Sequence, residues 1–393
     1  MKLIKKNLKF PKIIYLGIFI IVIISLFLIN LSTSAVEISG IEFIGQATLP
    51  KGLSFQKTEV GGLSGITYDA RNDLYYAISD DRGQKANARF YTLKIDLSKG
   101  SLRNGGVVLV GVTTLLNDNS QTFTAGSSDT EGITLTKKDT VFISSEGDVG
   151  QSVNPFIKEF SLASGRVITT LPIPNKFLPN QNGQQGVRNN LAFESLTITP
   201  DNKHLFTATE NALIQDGLAA KANLGSPCRI LQYNLLTNQP EKEFLYQTEP
   251  VAPLLNLTGR FASGLPDLLA LDNLGHLLSI ERSFTGLGFA VSLFQVSLEG
   301  SDDIQDIKSL LAVDFQNIKP VKKKLLLNLR TLDVALDNIE GLTFGSKLPN
   351  GQRSLILISD DNFNSLQRTQ ILAFKLQIEA PIIKFLRSLI PHF

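Results

Sequence analysis

Short apolar runs recur in pairs along most of this chain, each pair split by a polar turn and flanked by acids. The clearest pair reads DTEGITLTKKDTVFISSEGD, from Asp129 to Asp148. Runs rich in Val, Ile, Phe, Tyr and Thr that end in turn residues are the mark of strands, so each pair predicts an antiparallel hairpin. The same plan returns in GLSGITYDARNDLYYAISDDR (Gly62 to Arg82) and LAFESLTITPDNKHLFTATEN (Leu191 to Asn211). It returns again in PDLLALDNLGHLLSIERSF (Pro266 to Phe284) and NIEGLTFGSKLPNGQRSLILISDDNF (Asn338 to Phe363).

Alignment on Ser64, Glu131, Glu194, Asp267 and Glu340 gives steps of about 67, 63, 73 and 73 residues, too long for a solenoid unit and regular enough for a repeated supersecondary one. Two more strand-like runs follow each of the first four hairpins: Arg89 to Gly100 with Gly105 to Leu115, Pro155 to Gly165 with Arg166 to Pro174, Arg229 to Asn238 with Glu241 to Glu249, and Phe289 to Gly300 with Lys323 to Leu329. The fifth hairpin is followed by one run, Thr369 to Gln377, and Ile41 to Leu49 can supply its missing outer strand. Four antiparallel strands repeated radially predict an all-β fold, a β-propeller of five four-stranded blades, with the ring closed by the N-terminal strand. Such closure also hides the sheet edges. The segments Asn117 to Ser128 and Asn175 to Asn190 leave room for a sixth blade. A β-sandwich with a second domain would explain the strands but not the repeat.

In a propeller the first strand of each blade lines the central channel and the second returns to the face from which the first set out. The acids before the first strands (Glu131, Glu194, Asp267, Glu340) and those ending the second (Asp80, Glu146, Glu210, Glu281, Asp360) are therefore expected to meet near the axis on one face. Converging carboxylates repel strongly at low dielectric unless a positive charge sits among them. A hard divalent cation such as calcium, which takes six to eight oxygens, would serve. So would arginine, and Arg82, Arg89, Arg229, Arg282 and Arg368 follow the second strands or begin the third.

Acids, a cation and guanidinium groups together suit phosphate-ester hydrolysis, in which positive charge neutralises the phosphate while a metal-bound water attacks. The expected catalytic groups are Glu131, Glu340, Arg82 and Arg282, and the expected metal ligands are Asp80, Glu146, Glu194, Glu210, Glu281 and Asp360. A purely architectural use is the competing reading, in which the same acids accept hydrogen bonds from loop amides and hold neighbouring blades in register.

Composition narrows the partners. The 393 residues are 43% hydrophobic and 19% charged, enough for a large core. The formal charge of +2 misleads, because Lys2, Lys5, Lys6, Lys9 and Lys12 form a basic leader without acids. Removing them leaves 33 basic against 36 acidic residues, a net of about −3 for the body. No stretch concentrates Lys and Arg with aromatics, so nucleic acid is not an expected partner. The run Ile13 to Leu31 after the leader predicts export, either through a signal peptide cleaved after Ala35 or as an uncleaved anchor, the one expected contact with a membrane. Residues 1–35 are thus read as leader, 36–378 as a monomeric propeller and 379–393 as an amphipathic tail that packs on the rim or touches a membrane or partner.

Other motifs point elsewhere weakly. Cys228, the lone cysteine, reads as a packed strand residue, and His204 and His276 occupy matching positions on the face opposite the acids. Ser64 in Gly62-Leu63-Ser64-Gly65 has the wrong spacing for a nucleophile elbow, and Gly286-Leu287-Gly288 lacks the context of a dinucleotide fingerprint.

The ordered series GLSGITYD with YAISDDRG, DTEGITL with SSEGD, FESLTITPD with TATENAL and SPCRI, IERSF, and NIEGLTF with LISDDNF resembles the exported phytase-like proteins, over roughly Ile41 to Gln377. The resemblance implies a propeller, export, and phytase-type esterase activity on phosphate esters with calcium. It is to the phytase-like family and not to the alkaline propeller phytases, whose dense phosphate cleft has no counterpart in the motifs. A calcium-stabilised propeller that binds a partner or surface polymer without turnover is the alternative, and a lactonase the third reading.

Overall fold

A computed structural model describes residues 35–253 and 259–379. The leader, its apolar run and the tail lie outside the described residues. No helix among the described residues is long and apolar enough to cross a membrane. The compact unit is Ile38–Gln377.

The chain forms five four-stranded sheets. From the axis outward, blade one is Leu63–Asp69, Leu74–Ser79, Arg89–Ile95 and Val107–Thr114, and blade two Thr130–Leu135, Thr140–Ser145, Phe156–Ser161 and Val167–Leu171. Blade three is Thr197–Ile198, His204–Ala208, Pro227–Asn234 and Gln239–Gln247, and blade four Ala262–Ala270, His276–Phe284, Phe289–Ser297 and Lys322–Asn328. Blade five runs Ile339–Lys347, Arg353–Ser359 and Gln370–Ile378, and Ile38–Thr48 completes it from the other end of the chain. The closure expected from the pattern is present. No sixth blade occurs among the described residues, the one further sheet being the small hairpin of Ser54–Phe55 with Thr58–Glu59: Asn117 to Ser128 is turn and bridge, and Asn175 to Asn190 holds the 3-10 turn Asn175–Phe177 and a single bridge at Arg188.

The core lies between blades and not in one central mass. Alternate residues of a strand face opposite neighbours, so Tyr75 and Ala77 pack with Ile356 and Ile358 of blade five, while Tyr76 and Ile78 pack with Ile133 and Ile143 of blade two. A blade sandwiched on both sides must be apolar on both faces. This is why the strands read as continuous apolar runs instead of the alternation of a half-wet sheet.

Near the axis the inner strands touch backbone to backbone. A Cβ on Gly132 would lie 2.6 Å from the carbonyl of Glu194, and one on Gly65 would lie 2.5 Å from that of Glu131. The recurrent acid-Gly or Ser-Gly step therefore has a packing cause. In blade three Ser195 stands at this place and its Oγ accepts from the amide of Ala208. In blade four it is Asp267, whose carboxylate accepts from the amides of Leu268 and of Leu342 in blade five.

Candidate functional site

The second strands deliver their last residues to one face, and the register of each hairpin fixes which residue arrives. Gly65 pairs with Ile78, Asp267 with Ile280 and Gly341 with Ile358. Two residues beyond these partners come Asp80, Arg282 and Asp360, and the corresponding places in blades two and three hold Glu146 and Glu210. The first strands begin with Ser64, Glu131, Glu194, Pro266 and Glu340 immediately before the close-contact residue. Blade four thus departs from the expected pattern at both places, by one residue each time.

That slip moves two acids away from the axis. Glu281 occupies the place held elsewhere by Ser79, Ser145, Thr209 and Ser359 and turns toward blade three. There it accepts from Tyr246 Oη, from the amide of Glu249 and from Lys323 Nζ at 2.5 Å. Asp267 binds neighbouring inner strands as described. Neither lines the axial cavity, and both serve the architectural use weighed from the sequence.

The remaining expected residues do come together. Asp80, Arg82, Glu131, Glu194, Glu210, Arg282, Glu340 and Asp360 line one cavity of about 550 Å³, with Lys85, Asn190, Asn362 and Phe363 also on its wall. Glu146 stands just behind it, taking the amide of Ala192 on Oε1 while its Oε2 is buried without a hydrogen-bond partner. Of the other arginines, Arg89 is buried against Asp81 and Tyr91, Arg229 is clamped by Asp216 and Glu243, and Arg368 lies against Asp337. None of these three lines the cavity.

The charges in the cavity divide into two halves. On one side Arg282 Nη2 lies 2.5 Å from Glu340 Oε1 and 3.4 Å from Glu210 Oε1. Burial by itself would lower the Arg282 pKa, but Glu340, Glu210 and Glu194 outweigh it and hold the guanidinium above its ordinary value. Asn338 also donates to Glu340.

On the other side Asp80, Asp129 and Glu131 bring carboxylate oxygens within 4.8 Å of one another. Arg82, in a left-handed conformation at φ 49°, donates from Nε to Asp129 Oδ1 at 2.7 Å and from Nη2 to Asn190. Asp80 Oδ1 is buried without a hydrogen-bond partner. Glu131 is 7% exposed, and no hydrogen bond or ion pair reaches its carboxylate. Burial first, then the charges of Asp80, Glu194, Asp129 and Glu146, push its pKa well up. Asp80 is likewise pushed well up by burial and by Asp129 and Asp360.

Three clustered carboxylates, with Asp80 Oδ1 unsatisfied and no nitrogen or sulfur ligand among them, fit a hard divalent cation of the calcium or magnesium kind. The described histidines and the cysteine are elsewhere. His204 and His276 begin second strands at the opposite end, beside Glu241 and Asp272. Cys228 is fully buried, its thiol bonded to the carbonyl of Glu210 and its pKa pushed well up by burial, so it is inert packing. Asp129 was not singled out in the sequence. It lies two residues before Glu131, where the other blades carry Gly62, Ala192, Gly264 and Asn338, so the repeat gave no sign of it.

Comparison with known proteins decides the family. Residues 58–363 match the model of the phytase-like family, described as having esterase-like activity of phytase. The chain belongs to the phytase-like family. The match spans all the cavity-lining residues of this phytase-like chain. A curated relative, an uncharacterized secreted protein of Arthroderma benhamiae, is 26% identical over 138 residues, covering 29% of this chain and 25% of the relative. The chain thus spans about a quarter of the length of the curated relative it matches. Among solved structures, an endo-arabinase of Bacteroides thetaiotaomicron aligns with a TM-score of 0.41 at 11% identity, over 80% of this chain and 93% of that one. The periplasmic gluconolactonase of Pseudomonas aeruginosa aligns with a TM-score of 0.34 at 10% identity, over 82% and 90%. Likeness at this level carries nothing about chemistry.

Proposed function

We propose that this phytase-like chain is an exported hydrolase of small phosphate esters or other esters, working with a divalent cation, calcium by preference, in the axial cavity. The observation that carries the reading is the bare, buried carboxylate of Glu131 beside Asp80 and Asp129, in a cavity that also presents Arg82 and Lys85. Export rests on the basic leader and its apolar run, and is in keeping with a relative described as secreted.

Asp80, Asp129 and Glu131 would hold the cation, with Glu194 and Asp360 near enough to add negative charge to the pocket. When bound, the cation supplies Lewis acidity and a nucleophilic water at neutral pH. Arg82 is the guanidinium open to a ligand, its side chain 28% exposed, and it already lies along one carboxylate edge in the geometry it would use for a phosphate. Lys85 adds a second positive charge on the same wall. Glu340 and Arg282 balance each other on the far side and keep the cavity from being uniformly repulsive to an anion.

The test is release of phosphate and of p-nitrophenol from a panel of phosphate esters, carboxylic esters and lactones, with calcium and with chelator. Calcium-dependent turnover lost in Glu131→Gln supports the proposal. A chelator that lowers the melting temperature, without hydrolysis of any panel member, favours a calcium-stabilised propeller that binds a surface polymer.

A further inference from the structure

In blades one, two, three and five the second strand brings an acid to the axial face, Asp80, Glu146, Glu210 or Asp360; in blade four Arg282 holds that place. The same blade also lacks the first-strand acid, having Pro266 where blades two, three and five have Glu131, Glu194 and Glu340 and blade one has Ser64. Blade four therefore gives the axial cavity a positive charge and no carboxylate of its own.

The surroundings of Arg282 are built for this substitution. The residue is 9% exposed, yet its Nε has no hydrogen-bond partner, so it is held by charge more than by a full set of donors and acceptors. Glu340 and Glu210 flank it at 2.5 and 3.4 Å. Gly264, its pairing partner across the hairpin, leaves the room for Glu210: a Cβ there would stand 2.4 Å from Glu210 Oε1. The opposite half has its guanidinium, Arg82, at the half-exposed rim on Asp129 alone and not buried between two acids. There Asp80 Oδ1 has no hydrogen-bond partner, and Glu131 meets mainly the charges of other acids.

We infer that Arg282 is a built-in cation that takes the place of a metal ion between Glu210 and Glu340, so the cavity binds one divalent ion, at Asp80, Asp129 and Glu131, and no second. The inference rests on the cation reading above and adds to it a stoichiometry and a division of labour. A divalent ion placed between Glu210 and Glu340 would meet a fixed guanidinium at contact distance, and burial leaves little water to screen the two like charges. Arg282 is thus a positioning residue for ion binding, while Arg82 remains the arginine open to a ligand.

The experiment counts ions on the full chain by native mass spectrometry and equilibrium dialysis with calcium, and follows terbium luminescence as a second probe. One calcium per wild-type chain is expected. Glu131→Gln and Asp80→Asn should weaken it by at least about tenfold, whereas Glu210→Gln and Glu340→Gln should hold it within about threefold. Arg282→Gln should bind two ions and Arg282→Lys one. Two ions on the wild type, or loss of the ion in Glu340→Gln to the degree seen in Glu131→Gln, overturns the built-in cation and leaves the cation reading standing. No ion on the wild type overturns both. Should Arg282→Gln fold only with calcium present, that requirement itself supports the inference; should it fold without calcium and still bind one ion, the inference fails. The glutamine variants of Glu210 and Glu340 decide the matter even where no Arg282 variant folds.

Discussion

Lys323 Nζ lies 2.5 Å from Glu281 Oε1 and over the rings of Tyr246 and Phe294, at 5.0 and 4.6 Å from their centroids. This contact ties the third blade to the fourth, and it explains why an acid one place short of the axis is kept there. Removing the lysine strands a buried carboxylate. Lys323→Met should therefore cost about 3 kcal/mol of stability. Glu281→Gln should cost less, about 1 kcal/mol, because Lys323 retains Glu249 at the surface and the amide can still bond to Tyr246. Urea denaturation checks both, and the double variant should fall short of the sum. Neither single variant should change the number of ions bound.

Removal of the proposed cation should loosen the ring, because Asp80 and Glu131 would then face each other with only Arg82, on Asp129, as a nearby counter-charge. Calcium at about a hundred times its dissociation constant is worth about 2.7 kcal/mol. For a domain of this size that corresponds to about 5 °C in melting temperature between calcium and chelator. Scanning calorimetry reads the difference directly. Asp80→Asn should shrink it to near zero.

The carboxyl of Asp267 gives a pH dependence of known sign. Burial pushes its pKa well above the ordinary carboxylate value, although amides of Leu342, Leu268 and Leu196 pull the other way. A group whose folded pKa exceeds its unfolded value favours the folded state below the unfolded pKa, and loses that contribution as pH rises through the folded one. Compared with Asp267→Asn, which does not titrate, the wild type should gain relative stability as the solution is acidified through the raised folded pKa toward the ordinary carboxylate value, and lose it on return. A pH-independent difference between the two would count against the assignment.

Turnover should divide the cavity residues by role. Glu131→Gln should lower kcat/KM for a phosphate ester by about 100-fold, the scale of losing one electrostatic partner of a developing charge. Arg82→Gln should act mainly on KM if the guanidinium meets the ester before the reaction. Initial-rate kinetics at saturating calcium distinguish these outcomes from a loss of ion binding.

The five-fold plan was legible because each blade must be apolar on both sides and acid-Gly steps recur where inner strands touch. The identity of the residues reaching the axis was less so. Aligning the hairpins on their acids set Glu281 beside Asp80 and Asp360, because an acid in an acid-rich motif draws the eye. Aligning instead on the apolar residues Ile78, Ala208, Ile280 and Ile358 puts Arg282 in that place, and this signal was in the sequence. The slip of Asp267 has the same cause, since its pairing with Ile280 sets it level with Gly65 and Gly341, which pair with Ile78 and Ile358. Asp129 had no such signal: only the turn of Arg82 toward it makes it part of the site.

The pairing of Ile38–Thr48 with Gln370–Ile378 has a consequence for biogenesis. The strand of the ring that is made before all others must wait, unpartnered, for the one made after them, and the ring cannot shut in the meantime. Maturation is therefore gated by the ribosome reaching the last blade, and a nascent chain arrested short of Gln370 would expose a ready edge for chaperones or for aggregation.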